Sequence, residues 1–144
     1  MTLEYLGATV ADELQVRSIL KKLNGDRSNF DISRFVVVKQ GAGLIGCVRI
    51  KVFKDGTLEL SSLAVLPEHQ KQGIGSELVK KLLFNDVARP IFLLTSLDKE
   101  NFYKKFGFNV LASDKLPEEF KKEYLHIINL PFAKNIQVIA MVLK

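Results

Sequence analysis

The segment between Leu58 and Leu83 constrains the fold most, because an apolar strand, a turn, a glycine-rich loop and an amphipathic helix follow one another there. The strand is Leu58–Val65, and Pro67 ends it because proline has no N–H to donate to a sheet. The helix follows Gly73 and Gly75. Glycine lets the backbone approach an anion closely, and the first amides of a helix point at such a ligand. This order of elements predicts a phosphate-binding loop.

Two well-defined phosphate loops do not fit the segment. A nucleoside-triphosphate loop has a lysine directly after its last glycine, whereas Ser76 follows Gly75 here. A dinucleotide fingerprint has a third glycine three residues further on, where Leu78 stands. We therefore expect phosphate binding of another kind at Gln70–Ser76.

Apolar periodicity and turn residues predict a mixed α/β chain around this segment. Strands are expected at Leu3–Leu6, Phe35–Lys39, Leu44–Phe53, Leu58–Val65, Ile91–Thr95, Phe108–Leu111 and Gln137–Leu143. Helices are expected at Ala11–Leu23, Gly75–Asn85, Lys99–Phe106 and Pro117–Leu125. Asp55-Gly56 predicts a two-residue hairpin turn. The apolar face of the first helix is expected to consist of Leu14, Ile19, Leu20 and Leu23.

The composition is typical of one compact domain. The chain has 144 residues, of which 47% are hydrophobic and 26% charged, so we expect a single domain over residues 1–144. The single cysteine, Cys47, lies in an apolar strand and is expected in the core. A lone cysteine is typical of proteins from a reducing compartment, so we expect the protein in the cytoplasm. No apolar run approaches the roughly 20 residues that a membrane-spanning helix needs, so no membrane partner is expected.

The net charge of +5 favours an anionic partner without identifying it. A nucleic-acid-binding module is the less favoured interpretation, because the basic pairs are scattered through helices and no recognition motif with interleaved aromatic residues is present. These pairs are Lys21-Lys22, Lys80-Lys81, Lys104-Lys105 and Lys121-Lys122. With two histidines and one cysteine, neither a metal site nor a Cys-His nucleophile is expected.

Two motifs, the glycine loop with the strand before it and a later aromatic block, together resemble the GNAT N-acetyltransferase superfamily. The loop has the pattern Gln70-x-x-Gly73-x-Gly75, and it follows a strand that ends in Leu63-Ala64-Val65. A second block, from Asn101 to Phe108, is similar to the Phe-Tyr-x-Lys-x-Gly-Phe segment of the family. The resemblance implies an α+β fold, a single three-layer α/β/α domain. Its sheet would be mixed and mostly antiparallel, with six to seven strands and a splay between two parallel central strands.

The resemblance also implies acetyl-CoA as the co-substrate. The backbone amides of Gln70–Ser76 would hold the pyrophosphate of CoA, with Lys71 adding charge. The strand end Leu63–Val65 would pair with the amides of the pantetheine arm. Many family members place an asparagine after the strand equivalent to Ile91–Thr95, and here Ser96 stands near that place with Asn101 further on. The full set of cofactor-binding candidates is Leu63, Ala64, Val65, Gln70, Lys71, Gln72, Gly73, Ile74, Gly75, Ser76, Ser96, Asn101 and Tyr103.

The reaction implied by the resemblance is direct attack of an amine on the acetyl thioester, without a covalent enzyme intermediate. Glu59 is the candidate base, although its place between Leu58 and Leu60 also suits a solvent-facing strand residue. Tyr103 is the candidate acid for the departing thiolate, or else a core aromatic residue. A backbone amide near Val65 would stabilise the oxyanion.

The expected acceptor is a small amine. A loose similarity of the last third to amino-acid N-acetyltransferases of the arginine-biosynthesis type favours an amino acid. The alternatives are acetylation of a protein amino terminus or lysine, a CoA-binding sensor without catalysis, and the nucleic-acid module. The apolar segment Ile136–Leu143 would suit a homodimer.

Overall fold

Seven strands and four α-helices are present among residues 2–85 and 87–144, which a computed structural model describes. The strands are β1 (Leu3–Gly7), β2 (Phe35–Gln40), β3 (Gly43–Val52), β4 (Leu58–Val65), β5 (Ile91–Ser96), β6 (Asn109–Leu111) and β7 (Val138–Leu143). The helices are α1 (Glu13–Lys22), α2 (Ile74–Phe84), α3 (Glu100–Lys104) and α4 (Glu118–Ile128). Each strand and helix expected from the sequence is therefore present.

The chain divides into two compact units. The first consists of Met1–Lys51 and Leu60–Val87, and the second of Val52–Glu59 and Ala88–Lys144. The strand order is β1-β2-β3-β4 in the first unit and β4-β5-β7-β6 in the second, with β4 contributing residues to both. The expected single domain, residues 1–144, includes Met1 and Asp86, which lie outside the described residues, and it stays a prediction.

In the first unit a helix covers each face of the sheet. Val37 of β2 packs in the same cluster as Val16 of α1. The neighbouring residue Val38 faces the other way, where it and Leu78 of α2 border Gly46 of β3. Because both faces are covered, β2 and β3 are almost continuously buried and show little alternation of apolar and polar residues.

In the second unit β7 lies between β5 and β6 and pairs antiparallel with both. The fully buried Phe120 of α4 lies against Phe92 of β5, with 5.5 Å between ring centroids, and edge-on against Phe53 at 5.8 Å. Parallel pairs join Leu58 to Ile91 and Glu59 to Phe92. Ala140–Val142 of β7 are paired with a strand on each side. The homodimer expected through this segment stays a prediction.

These features confirm the α+β class, the three layers and the mixed, mostly antiparallel sheet with a central parallel pair. Cys47 is fully buried, as expected, and burial raises the pKa of its thiol to about 12. Every helix in the described part of the chain is too short or too polar to cross a membrane.

Two local predictions are wrong. Leu14 is 82% exposed, and Val16 takes its place in the core, because spacings of three and four residues put Val16, and not Leu14, on the helix face of Ile19 and Leu20. The β3–β4 turn has three loop residues, since Phe53 N–H donates to the Thr57 carbonyl at 2.9 Å. Gly56 adopts φ +88° there, which is typical of a type I turn followed by a left-handed residue.

The close packing at Gly46 predicts a large effect of a single methyl group. An added Cβ would lie 2.9 Å from the Val38 Cγ1 atom and 3.0 Å from the Ala64 carbonyl oxygen. We expect Gly46→Ala to lower the free energy of unfolding by about 1–3 kcal/mol, measured by urea denaturation. Gly43→Ala in the same strand is the control, because its nearest contact would be an ordinary 3.5 Å. Equal stability of the two variants would contradict the packing described here.

Candidate active site

The glycine loop enters α2 through a left-handed backbone conformation. Gly73 is the residue before the helix and has φ +82°, and Lys71 is also left-handed at φ +63°. No side chain caps the start of α2, and the first bond along the helix is from Glu77 N–H to the Gly73 carbonyl at 3.1 Å. In the described part of the chain, the amides of Ile74 and Gly75 therefore have no hydrogen-bond acceptor.

The loop is open to a ligand. Gln70, Lys71, Gln72 and Gly73 are exposed, and a Cβ added to Gly73 would meet no described atom within 4 Å. No carboxylate of the described residues pairs with Lys71. The amides, the positive end of the α2 dipole and a free ammonium group are thus available to an anion at one place.

The side chain of Gln70 has a role that the sequence did not indicate. Its Nε2 donates to the Val65 carbonyl at 2.9 Å and so ties the loop to the carboxyl end of β4. In that strand end Ala64 is buried in the α1 core, while Leu63 and Val65 are half-buried. The first unit therefore brings together the predicted residues of the strand end and of the loop.

β4 contains an irregularity just before this strand end. Ser62 has φ +60°, a conformation that costs an L-residue about 1–2 kcal/mol. Its hydroxyl donates to the Asp26 carbonyl at 2.6 Å and accepts from Arg49 Nε at 3.0 Å. The hydroxyl of Ser61 also lies 3.4 Å from the Asp26 carboxylate. Two successive side chains thus lie on one side of the strand, which is the signature of a bulge.

Arg49 is the centre of this network and is only 1% exposed. Its NH1 donates to the Asn29 carbonyl at 3.0 Å, and its NH2 donates to the carbonyls of Ser28 at 2.8 Å and Asp26 at 3.2 Å. Lys51, two residues along β3, donates to the Asp26 carboxylate at 2.9 Å. The signal for this network in the sequence is the pair of cations at alternate positions of an apolar strand.

The carboxylate of Asp26 is ionised in this network. Burial raises its pKa, but hydrogen bonds from Ser28 and Lys51 outweigh that effect and leave the pKa below its ordinary value. The carboxylate thus stays negative beside two buried cations and balances part of their charge.

The candidate catalytic residues Glu59 and Tyr103 belong to the second unit. Glu59 is 5% exposed, so the interpretation as a solvent-facing strand residue is wrong. A buried carboxylate has to be compensated by its surroundings, and functional sites are the usual place for one.

Tyr103 of α3 is buried among aromatic rings. The ring of Phe102 stands edge-on to it at 4.9 Å between centroids, and that of Phe108 at 6.1 Å. Burial raises the pKa of the Tyr103 hydroxyl to about 12, so it is protonated at neutral pH and is a hydrogen-bond donor there. No described residue accepts from this hydroxyl.

The two remaining predicted cofactor contacts are also in the second unit. Ser96 is the half-buried last residue of β5 and lines an open depression of about 570 Å³. Leu97, Asn135 and Ile136 line the same depression. Asn101 is exposed on α3. The structure thus places Ser96 and Asn101 at different positions, one at a strand end and one on a helix.

The family model of the acetyltransferase (GNAT) domain matches residues 31–110, which is more than half of the chain. The chain belongs to the GNAT acetyltransferase family. The match includes the Arg49 network except for Asp26, Ser28 and Asn29, the whole glycine loop, Glu59 and Tyr103.

Curated relatives of this GNAT chain are named as acetyltransferases. It is 30% identical over 123 residues to an amino-acid acetyltransferase of Neisseria meningitidis serogroup A, covering 81% of this chain and 28% of the relative. The chain therefore spans about 28% of the length of that protein. It is also 30% identical over 114 residues to an uncharacterized N-acetyltransferase of Chlorobaculum tepidum, covering 77% of this chain and 70% of the relative.

A solved structure of similar fold is N-acetylglutamate synthase from Neisseria gonorrhoeae complexed with coenzyme A and N-acetyl-glutamate. The TM-score is 0.70 at 21% identity, and the alignment covers 100% of this chain and 36% of that chain. At this identity the likeness shows the GNAT fold.

The aromatic environment of Tyr103 predicts its titration. At a pH of about 10 a free phenol is half ionised, whereas Tyr103 in the folded protein should remain protonated. The measurement is the tyrosinate absorbance of the wild-type protein minus that of Tyr103→Phe. In denaturant the same difference should show ionisation near the ordinary value. Half-ionised Tyr103 at pH ~10 in the folded protein would contradict its burial.

Proposed function

We propose that the chain is an acetyl-CoA-dependent N-acetyltransferase that moves an acetyl group directly to the amine of a small molecule. The observation that carries the proposal is the exposed glycine loop at the uncapped start of α2, with Gly73 left-handed and open. Membership of the GNAT family supports it, as do the names amino-acid acetyltransferase and uncharacterized N-acetyltransferase of two relatives.

The residues of the first unit suit the phosphate end of acetyl-CoA. Of the predicted amides Gln70–Ser76, those of Lys71–Ser76 would donate to the pyrophosphate, since the Gln70 amide already donates to the Pro67 carbonyl at 3.2 Å. Lys71 would add a positive charge. Leu63–Val65 would pair with the amides of the pantetheine arm as an added strand does. Because the Val65 carbonyl already accepts from Gln70, we assign this pairing to the other backbone groups of the strand end. Ser96 and Asn101 are the further proposed contacts.

Acetyl transfer needs a neutral amine. An alkylamine has a pKa near ~10.4, so it is mostly protonated at neutral pH and has to lose a proton before it can attack. We assign this proton to Glu59, directly or through water. The amine nitrogen then forms a bond to the acetyl carbon and loses its second proton to water, the carbon–sulfur bond breaks, and CoA leaves as a thiolate. A backbone amide near Val65 would stabilise the oxyanion of the intermediate.

The pKa of Tyr103 refines its role at the departing thiolate. A thiol has a pKa near ~8.5, so complete proton transfer from a phenol of pKa about 12 is uphill by about 5 kcal/mol. A hydrogen bond from the protonated hydroxyl has no such penalty and still stabilises the negative sulfur. We therefore assign Tyr103 as a hydrogen-bond donor to the thiolate, with the final proton coming from solvent.

The substrate proposed is an amino acid. Its support is the name amino-acid acetyltransferase of the Neisseria meningitidis relative and the N-acetyl-glutamate bound in the structure of similar fold. A protein amino terminus or lysine is the second candidate acceptor within the same chemistry.

Acetyl-CoA binding at the glycine loop predicts a ligand-dependent rise of the melting temperature. A ligand that binds only the folded state stabilises it by mass action, and Gly73→Glu places a negative charge and a strained backbone in the phosphate site. We expect the variant to lose the shift, measured by differential scanning fluorimetry with acetyl-CoA.

Gly56→Glu is the matched control for this experiment. Gly56 is also left-handed, at φ +88°, and an added Cβ there would likewise meet no described atom within 4 Å. Gly56→Glu therefore introduces the same backbone strain and the same charge outside the glycine loop. The rise of the melting temperature with acetyl-CoA should persist in this variant. An undiminished shift in Gly73→Glu would place the cofactor elsewhere.

The role of Glu59 predicts a change in the pH profile. A base acts when deprotonated, so the wild-type kcat should fall as pH decreases, and Glu59→Gln should lack this acidic limb. We expect kcat to fall by about 10²–10⁴-fold in the variant while acetyl-CoA still raises the melting temperature. Glu68→Gln, which removes an exposed carboxylate, should behave as wild type. An acidic limb that persists in Glu59→Gln would assign the base to another group.

A further inference from the structure

Ser62 is the point in β4 where the alternation of side chains changes phase. Its positive φ places it on the same side of the strand as Ser61, since both hydroxyls reach Asp26. A slip of one residue in a strand exchanges the faces of every residue that follows. With the bulge, Ala64 lies in the core below α1, and Leu63 and Val65 are only half-buried. Without it, these faces would be exchanged.

The conformation of Ser62 is unfavourable for an L-residue, so it has to be held from outside. The hydroxyl accepts from Arg49 Nε at 3.0 Å and donates to the Asp26 carbonyl at 2.6 Å, and the Ser61 hydroxyl lies 3.2 Å away as a weaker third contact. The same guanidinium also holds that carbonyl, at 3.2 Å from its NH2. Arg49, Ser62 and the Asp26 carbonyl therefore form a closed set of three contacts, which we name the Ser62 clamp.

We propose that Arg49 is a positioning residue, which acts through the Ser62 clamp to keep Leu63–Val65 in the orientation that binds the pantetheine arm of acetyl-CoA. This inference rests on the proposed function, because it concerns the same cofactor. The geometry of the guanidinium group suits this role. Its Nε–H donates to Ser62 in β4, while its NH1 and NH2 donate to carbonyls of residues 26–29. A lysine ammonium has no such fork.

Substitutions of Ser62 separate the backbone conformation from the hydroxyl group. In Ser62→Ala the clamp is lost and alanine disfavours a positive φ, so in most molecules the backbone at position 62 should adopt ordinary strand geometry. Apparent affinity falls in proportion to the fraction of molecules in the competent state, so the Kd for coenzyme A should rise about tenfold. Glycine adopts both conformations equally, so Ser62→Gly should raise the Kd by only about twofold.

Ser61→Ala is the matched control, because it removes a hydroxyl that lies 3.4 Å from the Asp26 carboxylate and 3.2 Å from the Ser62 hydroxyl, and it leaves both hydrogen bonds of Ser62 within the clamp in place. Its Kd should equal that of the wild type. Isothermal titration calorimetry with coenzyme A gives all four values, and thermal unfolding without ligand shows that each variant is folded at the temperature of the titration. Loss of stability alone would lower the melting temperature without changing the Kd of a variant that is folded at the temperature of the titration.

Arg49→Lys tests the route through Ser62. It should raise the Kd for coenzyme A about tenfold in the wild-type background, because the clamp is lost there as well. In the Ser62→Ala background the same substitution should leave the Kd unchanged, since the hydroxyl through which Arg49 acts on β4 is already absent. Additive effects of the two substitutions would show that Arg49 acts by another route and would overturn the proposal.

The outcomes distinguish this inference from the proposed function. Wild-type protein that does not bind coenzyme A contradicts both. Wild-type protein that binds coenzyme A together with Ser62→Ala that binds equally well contradicts only the positioning role of Arg49. The order wild type, glycine, alanine, with non-additivity between Arg49 and Ser62, supports it.

Discussion

A guanidinium group removed from water is stable only when its N–H groups are hydrogen-bonded, and Arg49 imposes this requirement on the first unit. The requirement is met by the carbonyls of the segment from Asp26 to Asn29, which has little regular structure of its own, and by the hydroxyl of Ser62. One buried cation thereby determines the course of a surface segment and the bulge in β4. The bulge in turn determines which side chains of the strand end face the α1 core.

The glycine loop depends on the same strand. Gln70 donates to the Val65 carbonyl, so the loop begins at a fixed place relative to the strand end, and α2 then presents its first amides at the other end of the loop. A backbone anion site of this kind needs no particular side chain beyond glycine at the left-handed position. A phosphate ligand would account for only part of the net charge of +5, since most of the basic residues are exposed elsewhere, on helices, turns and loops.

Local signals predicted the elements and the loop well, because proline, glycine and short apolar runs act within a few residues. Leu14 was assigned wrongly although helical spacing excludes it, since Val16 is the residue three and four positions before Ile19 and Leu20 and so shares their face. Glu59 left two interpretations open, since alternation in a strand does not indicate whether both faces are covered. The Ser62 clamp joins residues far apart in the chain, and only the folded structure brings Asp26, Arg49 and Ser62 together.

If the chain acetylates a small amine with acetyl-CoA, each transfer releases the CoA thiol. The decisive measurement is therefore the rate of thiol release with each member of a panel of acceptors. The panel contains amino acids, polyamines, aminoglycosides and short peptides, with mass spectrometry of the products. We expect thiol release that matches the formation of an N-acetylated amino acid. Release that occurs only with peptides, or no release above spontaneous hydrolysis with any acceptor, would contradict it.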